Sequence, residues 1–448
     1  MQKPKLVGSY MEPKDVLRDG IAATFDQFQN VALLRAAFFR AYVFEFDPAG
    51  SDRPSLGGAY FTIHSECYED TFIRDFQAEE GDVLSPVLEE AERRGVEVYI
   101  YFFPAKTPLS RIPGYERVLE VDAYGNPGPF MCWRNPDYRN HLIGAARDVL
   151  TNYPVCGLMW GAERCGPLGW MVIKGPKRMK PACFCEHCCR AAEERGIDPD
   201  RAKEGWRKIC DLFERAGDGD LPPEGAFINF WRLLLRYPEI LQWEALWWDG
   251  KRDIQKAIYE IGKTIRGGLT IGNHMWHRGR AFSPFNRAAL DYEEIAEHAD
   301  FVKPAMFSNP APFRFKEQAD GLASSILADL PHDEVASVLF RFLGYDRECE
   351  HEQLPSHRFS PRYVYREIEM AKKVLGDRIP VYAGLCCHTY RGYPGAQDVT
   401  PEVVIAELRA ASQAGADGVI YDSMGLRPDI TNAIGEALRL EGWAEGNG

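Results

Sequence analysis

Eight times along its length the chain alternates a short apolar run, rich in β-branched and aromatic residues, with a longer stretch of helical period. Strand signals fall at 5–11, 36–46, 97–103, 155–161, 269–276, 301–307, 380–385 and 418–422, and helix signals follow at 16–34, 82–95, 135–152, 226–266, 292–298, 361–375, 401–414 and 429–440. Parallel strands need crossover helices, and eight strand-then-helix units close most economically into an α/β (β/α)8 TIM barrel. An open doubly wound sheet is the competing arrangement, but no Gly-x-Gly-x-x-Gly fingerprint follows the first strand. The 448 residues exceed a minimal barrel, and the surplus falls in two enlarged loops, about 164–225 after the fourth strand and 309–360 after the sixth. The expectation is a single barrel domain over 1–448, with its loops after the strand C-termini building the functional face.

Composition excludes several partners. Lys+Arg 53 against Asp+Glu 66 gives a formal charge of −13, the wrong field for a phosphate-binding clamp, so no nucleic-acid partner is expected. Hydrophobic residues at 45% and aromatics at 12% are enough for a large core and too many for a disordered chain. No run reaches membrane-spanning length without charge, and the charged start Met1-Gln2-Lys3-Pro4-Lys5 lacks a signal-peptide core, so a cytoplasmic protein without a membrane partner is expected. Twelve cysteines, four of them between Cys183 and Cys189, then read as a metal cluster rather than a disulfide framework.

Cys183-Phe184-Cys185-Glu186-His187-Cys188-Cys189 places a C-x-C-x-x-C on a tight loop at a helix start. A tetrahedral zinc needs a fourth ligand, for which Cys132 in the loop after the third strand competes with Cys189, Cys165 and His187. Four thiolates leave no open position for water, so the zinc would be structural, and no organic cofactor is expected. Cys132 precedes Asn135-Pro136-Asp137-Tyr138-Arg139, an acid closes Gly157-Leu158-Met159-Trp160-Gly161-Ala162-Glu163-Arg164, and the cysteine loop follows. This order over 95–197 resembles family 42 β-galactosidases and related glycoside-hydrolase-like barrels. The resemblance implies a structural zinc on Cys132, Cys183, Cys185 and Cys188, and Glu163 as general acid/base. The chain departs from that family at the seventh strand, Val381-Tyr382-Ala383-Gly384-Leu385-Cys386-Cys387-His388, which carries no carboxylate where the family nucleophile should stand.

Glu163, following an apolar strand among small residues and Trp160, is expected to have its charged form disfavoured, as suits a general acid. Its bland alternative is an ion pair with Arg164, a residue also placed in the substrate site. Glycoside hydrolysis usually uses a second carboxylate: Asp422 at the end of the eighth strand is favoured, with Glu45 and Asp47 next. A separation of about 6.5–9.5 Å would imply inversion and about 5–5.5 Å a covalent intermediate. His64 with Glu66, His274, Lys303, Asn309 and His388 supply hydrogen-bonding groups near strand ends, His388 with the further option of orienting water. His274 and His277, three apart on a strand, point to opposite faces and do not suggest shared metal ligation. Trp160, Trp276 and Tyr390, with Tyr60, Trp133, Trp170 and Phe307, offer flat faces for a pyranose.

These residues favour a glycosidase acting on a terminal sugar or small oligosaccharide. A metal-dependent amidohydrolase-type barrel would use Lys303, the histidines and Asp422, but Gly8-Ser9-Tyr10-Met11 lacks the His-x-His of the first strand. A non-catalytic carbohydrate-binding barrel is the third reading. The tryptophan-rich stretch 227–266, with Trp231, Trp243, Trp247 and Trp248, reads as a packing helix compatible with a homo-oligomer.

Overall fold

A computed structural model describes residues 5–43, 57–104, 112–390, 392–422 and 427–444. All eight expected strands form: β1 Leu6–Met11, β2 Ala36–Phe39, β3 Glu97–Phe102, β4 Gly157–Trp160, β5 Thr270–Met275, β6 Phe301–Pro304, β7 Tyr382–Leu385 and β8 Gly418–Tyr421. They pair in parallel in the sequential order β6-β5-β4-β3-β2-β1-β8-β7. The remaining seam is closed by parallel bridges Val302 to Val381 and Ala305 to Gly384, with Met306 N–H donating to Gly384 O at 2.7 Å. Among the described residues the sheet therefore closes on itself as a (β/α)8 barrel.

Alternation sorts each strand into two faces. Inside the barrel, Tyr10, Phe38, Tyr99, Tyr101, Met159, Phe301 and Ile420 pack together, with Phe38 stacked on Tyr99 at 5.0 Å. The other face of each strand joins the larger core beneath the helices. One layer above the inner aromatics come the next inward positions, His274 two residues after Gly272 and Lys303 two residues after Phe301. Two glycines make room for them. A Cβ on Gly161 would lie 2.7 Å from His274 Cβ and 3.0 Å from Phe103, and one on Gly384 would lie 2.6 Å from Pro304 O and run into Lys303 Cε.

Several boundaries differ from the sequence expectation for local reasons. The helix expected at 16–34 is broken at Gly20, whose φ of 84° interrupts Pro13–Asp19 before Ile21–Phe25. The helix expected at 226–266 is two, Gly225–Arg236 and Glu239–Ile265, because Pro238 cannot continue the hydrogen-bond ladder. A third loop is enlarged: between β3 and the helix Pro136–Asn152, strands Leu119–Val121 and Pro127–Met131 form an antiparallel ribbon ending at Cys132. Of the tryptophans, Trp243, Trp247 and Trp248 are buried, whereas Trp231 is exposed with Phe227, Ile228 and Leu235. Among the described residues no helix is long and apolar enough to cross a membrane. Glu45 and Asp47 lie outside the described residues.

The fit of Lys303 against position 384 has a measurable consequence. Gly384→Ala should destabilise the fold by about 1–3 kcal/mol through overpacking, read as a lower urea midpoint at unchanged slope.

Candidate active site at the barrel mouth

The strand C-termini converge on a line of polar groups. Lys303 Nζ, fully buried, donates to Tyr10 Oη at 2.6 Å and lies 3.5 Å from His274 Nδ1, while His274 Nε2 sits 3.4 Å from Glu163 Oε1. Phe103 stacks on His274 at 4.2 Å, and the ammonium lies over the rings of Tyr10 (4.6 Å) and Phe307 (4.9 Å). The Glu163 side chain, 28% exposed, is the accessible end of this line. Burial pulls Lys303 down to about 7, against the attraction of Asp422 and Glu163. Burial, with the charge of Lys303, pulls His274 down to about 4, so its ring is neutral at pH 7.

Glu163 departs from the expectation of a disfavoured charge. Burial alone would push its carboxyl up, but His274, Arg314 and Arg40 together hold it below the ordinary range. The surroundings of Glu163 are apolar in sequence and cationic in space. Arg314 stands on the helix Ala311–Ala323 after β6, donating to Tyr393 Oη at 2.5 Å, and Arg40 follows β2. Arg40 Nη1 lies 3.5 Å from Glu12 Oε2, and Tyr101 Oη donates to the other oxygen of Glu12. Sequence reasoning missed Glu12, although it continues the inward alternation of Gly8 and Tyr10 at the end of β1.

Across the mouth, Asp422 is 1% exposed. Cys387 N–H donates to its Oδ1 at 2.7 Å, Tyr390 Oη donates to its Oδ2 at 3.1 Å, and His388 Nδ1 lies 3.0 Å from Oδ2. Burial would push Asp422 up, but His388 and the Cys387 N–H keep it below the ordinary range. The His388 side chain is 34% exposed, so the accessible end of this pair is the imidazole. Asn309 Oδ1 accepts from Tyr390 N–H at 2.9 Å and so fixes the loop that carries both rings.

Other expected site residues lie elsewhere. His64 is held by Asp148 of the outer helix Pro136–Asn152 at 2.7 Å, and Glu66 is exposed on the turn Ser65–Tyr68. Trp160, 1% exposed, faces outward into the core beneath the helices because β4 places alternate residues there. Trp276 turns towards Trp170 and Arg278. Arg164, also 1% exposed, pairs with Glu120 at 2.5 Å rather than with Glu163, and its guanidinium lies over Trp133 (4.3 Å), Phe130 (4.6 Å) and Trp247 (5.4 Å).

Arg164 leads to the cysteines. The ligand atoms of Cys132, Cys183, Cys185 and Cys188 all lie within 4.8 Å of one another, with Cys132 Sγ 3.5 Å from those of Cys185 and Cys188. Four sulfurs at about 2.3 Å from a central zinc lie about 3.8 Å apart, so this donor set fits a tetrahedral thiophilic ion. N–H groups of Val121 and Cys185 approach Cys183 Sγ at 3.4 Å, the kind of donation that thiolates accept. The rivals turn away: Cys189 Sγ faces Phe184 O, His187 faces Glu186 and Arg190, and Cys165 stands apart as a buried thiol pushed up to about 12.

The chain matches no family model and no curated relative in sequence. In fold it is similar to β-galactosidase from the psychrophilic Marinomonas ef1 (TM-score 0.56, 12% identity, covering 97% of this chain and 59% of that one). It is also similar to the β-galactosidase of the Antarctic haloarchaeon Halorubrum lacusprofundi (TM-score 0.54, 15% identity, 99% and 58%). A third likeness is to α-L-fucosidase isoenzyme 2 from Paenibacillus thiaminolyticus (TM-score 0.52, 13% identity, 98% and 49%). The likeness is one of architecture alone, and the chain spans less than two thirds of each of these proteins.

The depressed Lys303 has a signature in stability. Between pH about 7 and 10.5 the unfolded chain binds this proton and the folded chain does not, so the lysine contributes a rise in stability with pH over that window. Lys303→Met should remove up to about 1.4 kcal/mol per pH unit of that rise, read by urea unfolding of both proteins at pH 7 and 9.

Proposed function

We propose that the chain is a glycosidase that hydrolyses a terminal sugar or small oligosaccharide, with Glu163 as the acid that protonates the glycosidic oxygen. The observation that carries this reading is the line Lys303–His274–Glu163, which ends in the accessible carboxyl of the mouth. The named activities of the structurally similar β-galactosidases and fucosidase support the substrate class. Because Glu163 is ionised at rest, its proton is supplied through the imidazole: His274 Nε2 gives its proton to Glu163 as Nδ1 takes one from Lys303 Nζ, a group poised near neutrality.

The second carboxylate acts through a histidine. Asp422 is too enclosed to reach an anomeric carbon, but it orients His388, which accepts a proton from water attacking opposite the leaving group. The C–O bond to the leaving alcohol breaks as the bond to water oxygen forms, with one proton delivered by Glu163 and one taken by His388. Without a carboxylate at the seventh strand, the displacement is single and the configuration inverts.

Glu163→Gln should lower kcat/KM on unactivated glycosides by about 10²–10⁴-fold, and by less on aryl glycosides whose leaving group needs no proton. NMR of the first-formed sugar should show the inverted anomer; equal activity of wild type and Glu163→Gln across the panel would favour the carbohydrate-binding reading. The amidohydrolase-type reading has one observation in its favour, the approach of Cys386, His388 and Asp422 ligand atoms within 4.8 Å. Under that reading Cys386→Ser abolishes turnover, and under the glycosidase reading it does not.

The four cysteines are proposed as a structural zinc site that ties the ribbon after β3 to the insertion after β4. Cys132→Ser should lose one equivalent of zinc by metal analysis and melt at lower temperature, with kcat per folded molecule retained.

A further inference from the structure

The insertion after β6 gathers a second set of ligating side chains that the proposed chemistry leaves unused. Asp320 lies on the helix Ala311–Ala323, His332 opens the helix His332–Leu343, and His351 opens the short helix His351–Ser356. Asp320 Oδ1 is 2.8 Å from His332 Nδ1 and 2.6 Å from His351 Nε2, and the two rings are 5.5 Å apart. We propose that Asp320, His332 and His351 form a second zinc site, which clips together the three elements of this insertion.

The donor set selects the ion. Two imidazole nitrogens and one carboxylate oxygen suit a borderline divalent cation such as zinc, whereas calcium and magnesium take oxygen ligands. Lys316 Nζ holds the far oxygen of Asp320 at 2.5 Å, which leaves Oδ1 turned towards the histidines, as an outer partner does for a metal-ligating carboxylate. His351 is 8% exposed and fixed, while the His332 side chain is half exposed and provides both access and give. Zinc at about 2.0–2.1 Å from each ligand separates them by about 3.3 Å, so the present contacts must open by about 0.5 Å at His332 and about 0.7 Å at His351. The ion takes the place of the imidazole protons now facing Asp320, and in each neutral ring the proton moves to the other nitrogen.

The site bears on the mouth through the helix it clips. Asp320 is six residues after Arg314 on Ala311–Ala323, about 9 Å along the axis, so an ion at Asp320 fixes the helix whose first turn carries the guanidinium facing Glu163. The ligands close a span of 31 residues between Asp320 and His351, a loop long enough for a cross-link to restrict.

The test is zinc per chain in full-length protein saturated with zinc chloride and desalted. His332→Ala and His351→Asn should each hold one zinc fewer than wild type, while Cys132→Ser retains the one they lose. Wild type holding no more zinc than His332→Ala overturns the proposal, whatever the cysteine cluster binds. Should both histidine variants fail to fold, cobalt titration of wild type decides. The proposal expects an equivalent that adds d–d absorption without a thiolate-to-cobalt band, and saturation with thiolate-bound cobalt alone overturns it.

Discussion

The buried pair of Arg164 and Glu120 joins the parts of this molecule that the barrel alone would leave separate. A guanidinium taken out of water is tolerable only with a carboxylate and further donors' partners around it, and removing one member of such a pair typically costs about 3–5 kcal/mol. Here Glu120 comes from the ribbon after β3 and also accepts from Trp247 Nε1 at 3.0 Å, so the long helix Glu239–Ile265 is bound into the same arrangement. Arg164 Nη1 donates to Met131 O at 2.7 Å, one residue before Cys132, and Trp243 Nε1 donates to Cys183 O at 3.2 Å. Glu163 is the neighbour of this arginine. Its backbone is thus set by a network facing away from the mouth, and its side chain is free to face into it.

The strands and the meeting of the four cysteines were legible for physical reasons that act over short distances. Apolar runs bounded by turn residues mark strands whatever lies beyond them, and all eight begin within two residues of where the pattern put them, although the second, expected at 36–46, ends at Phe39. Loop placement on adjacent strands made Cys132 one candidate to join the other three cysteines, and the family resemblance singled it out from Cys189, Cys165 and His187. The break at Pro238 was equally available, since proline has no N–H to give to the ladder, but the apolar spacing on either side masked it.

What could not be read was the field at the mouth. An apolar local sequence around Glu163 suggests a carboxyl pushed towards neutrality, yet the groups that reverse this arrive from elsewhere in the chain: the His274 imidazole from β5, Arg314 from the helix after β6 and Arg40 from just after β2. Arg164 misled for the same reason. A charged residue beside a strand-end acid reads as its partner, but consecutive residues at a strand end point to opposite sides, and the guanidinium went to Glu120. Glu12 lay in the pattern, two positions after Tyr10, and needed only the inward alternation to be followed one step further.

The glycines opposite Lys303 and His274 tie together positions that sequence comparison would treat as separate. The chemical side chain stands in volume that its neighbouring strand has vacated, at Gly384 for the lysine and Gly161 for the histidine. Neither member of such a couple can drift alone: a side chain gained at 384 evicts the lysine, and a lysine lost leaves a void that 384 is free to fill. Relatives of this chain should therefore exchange volume between 303 and 384 in concert, and altering the chemistry of this barrel by design would mean rewriting strands in adjacent pairs.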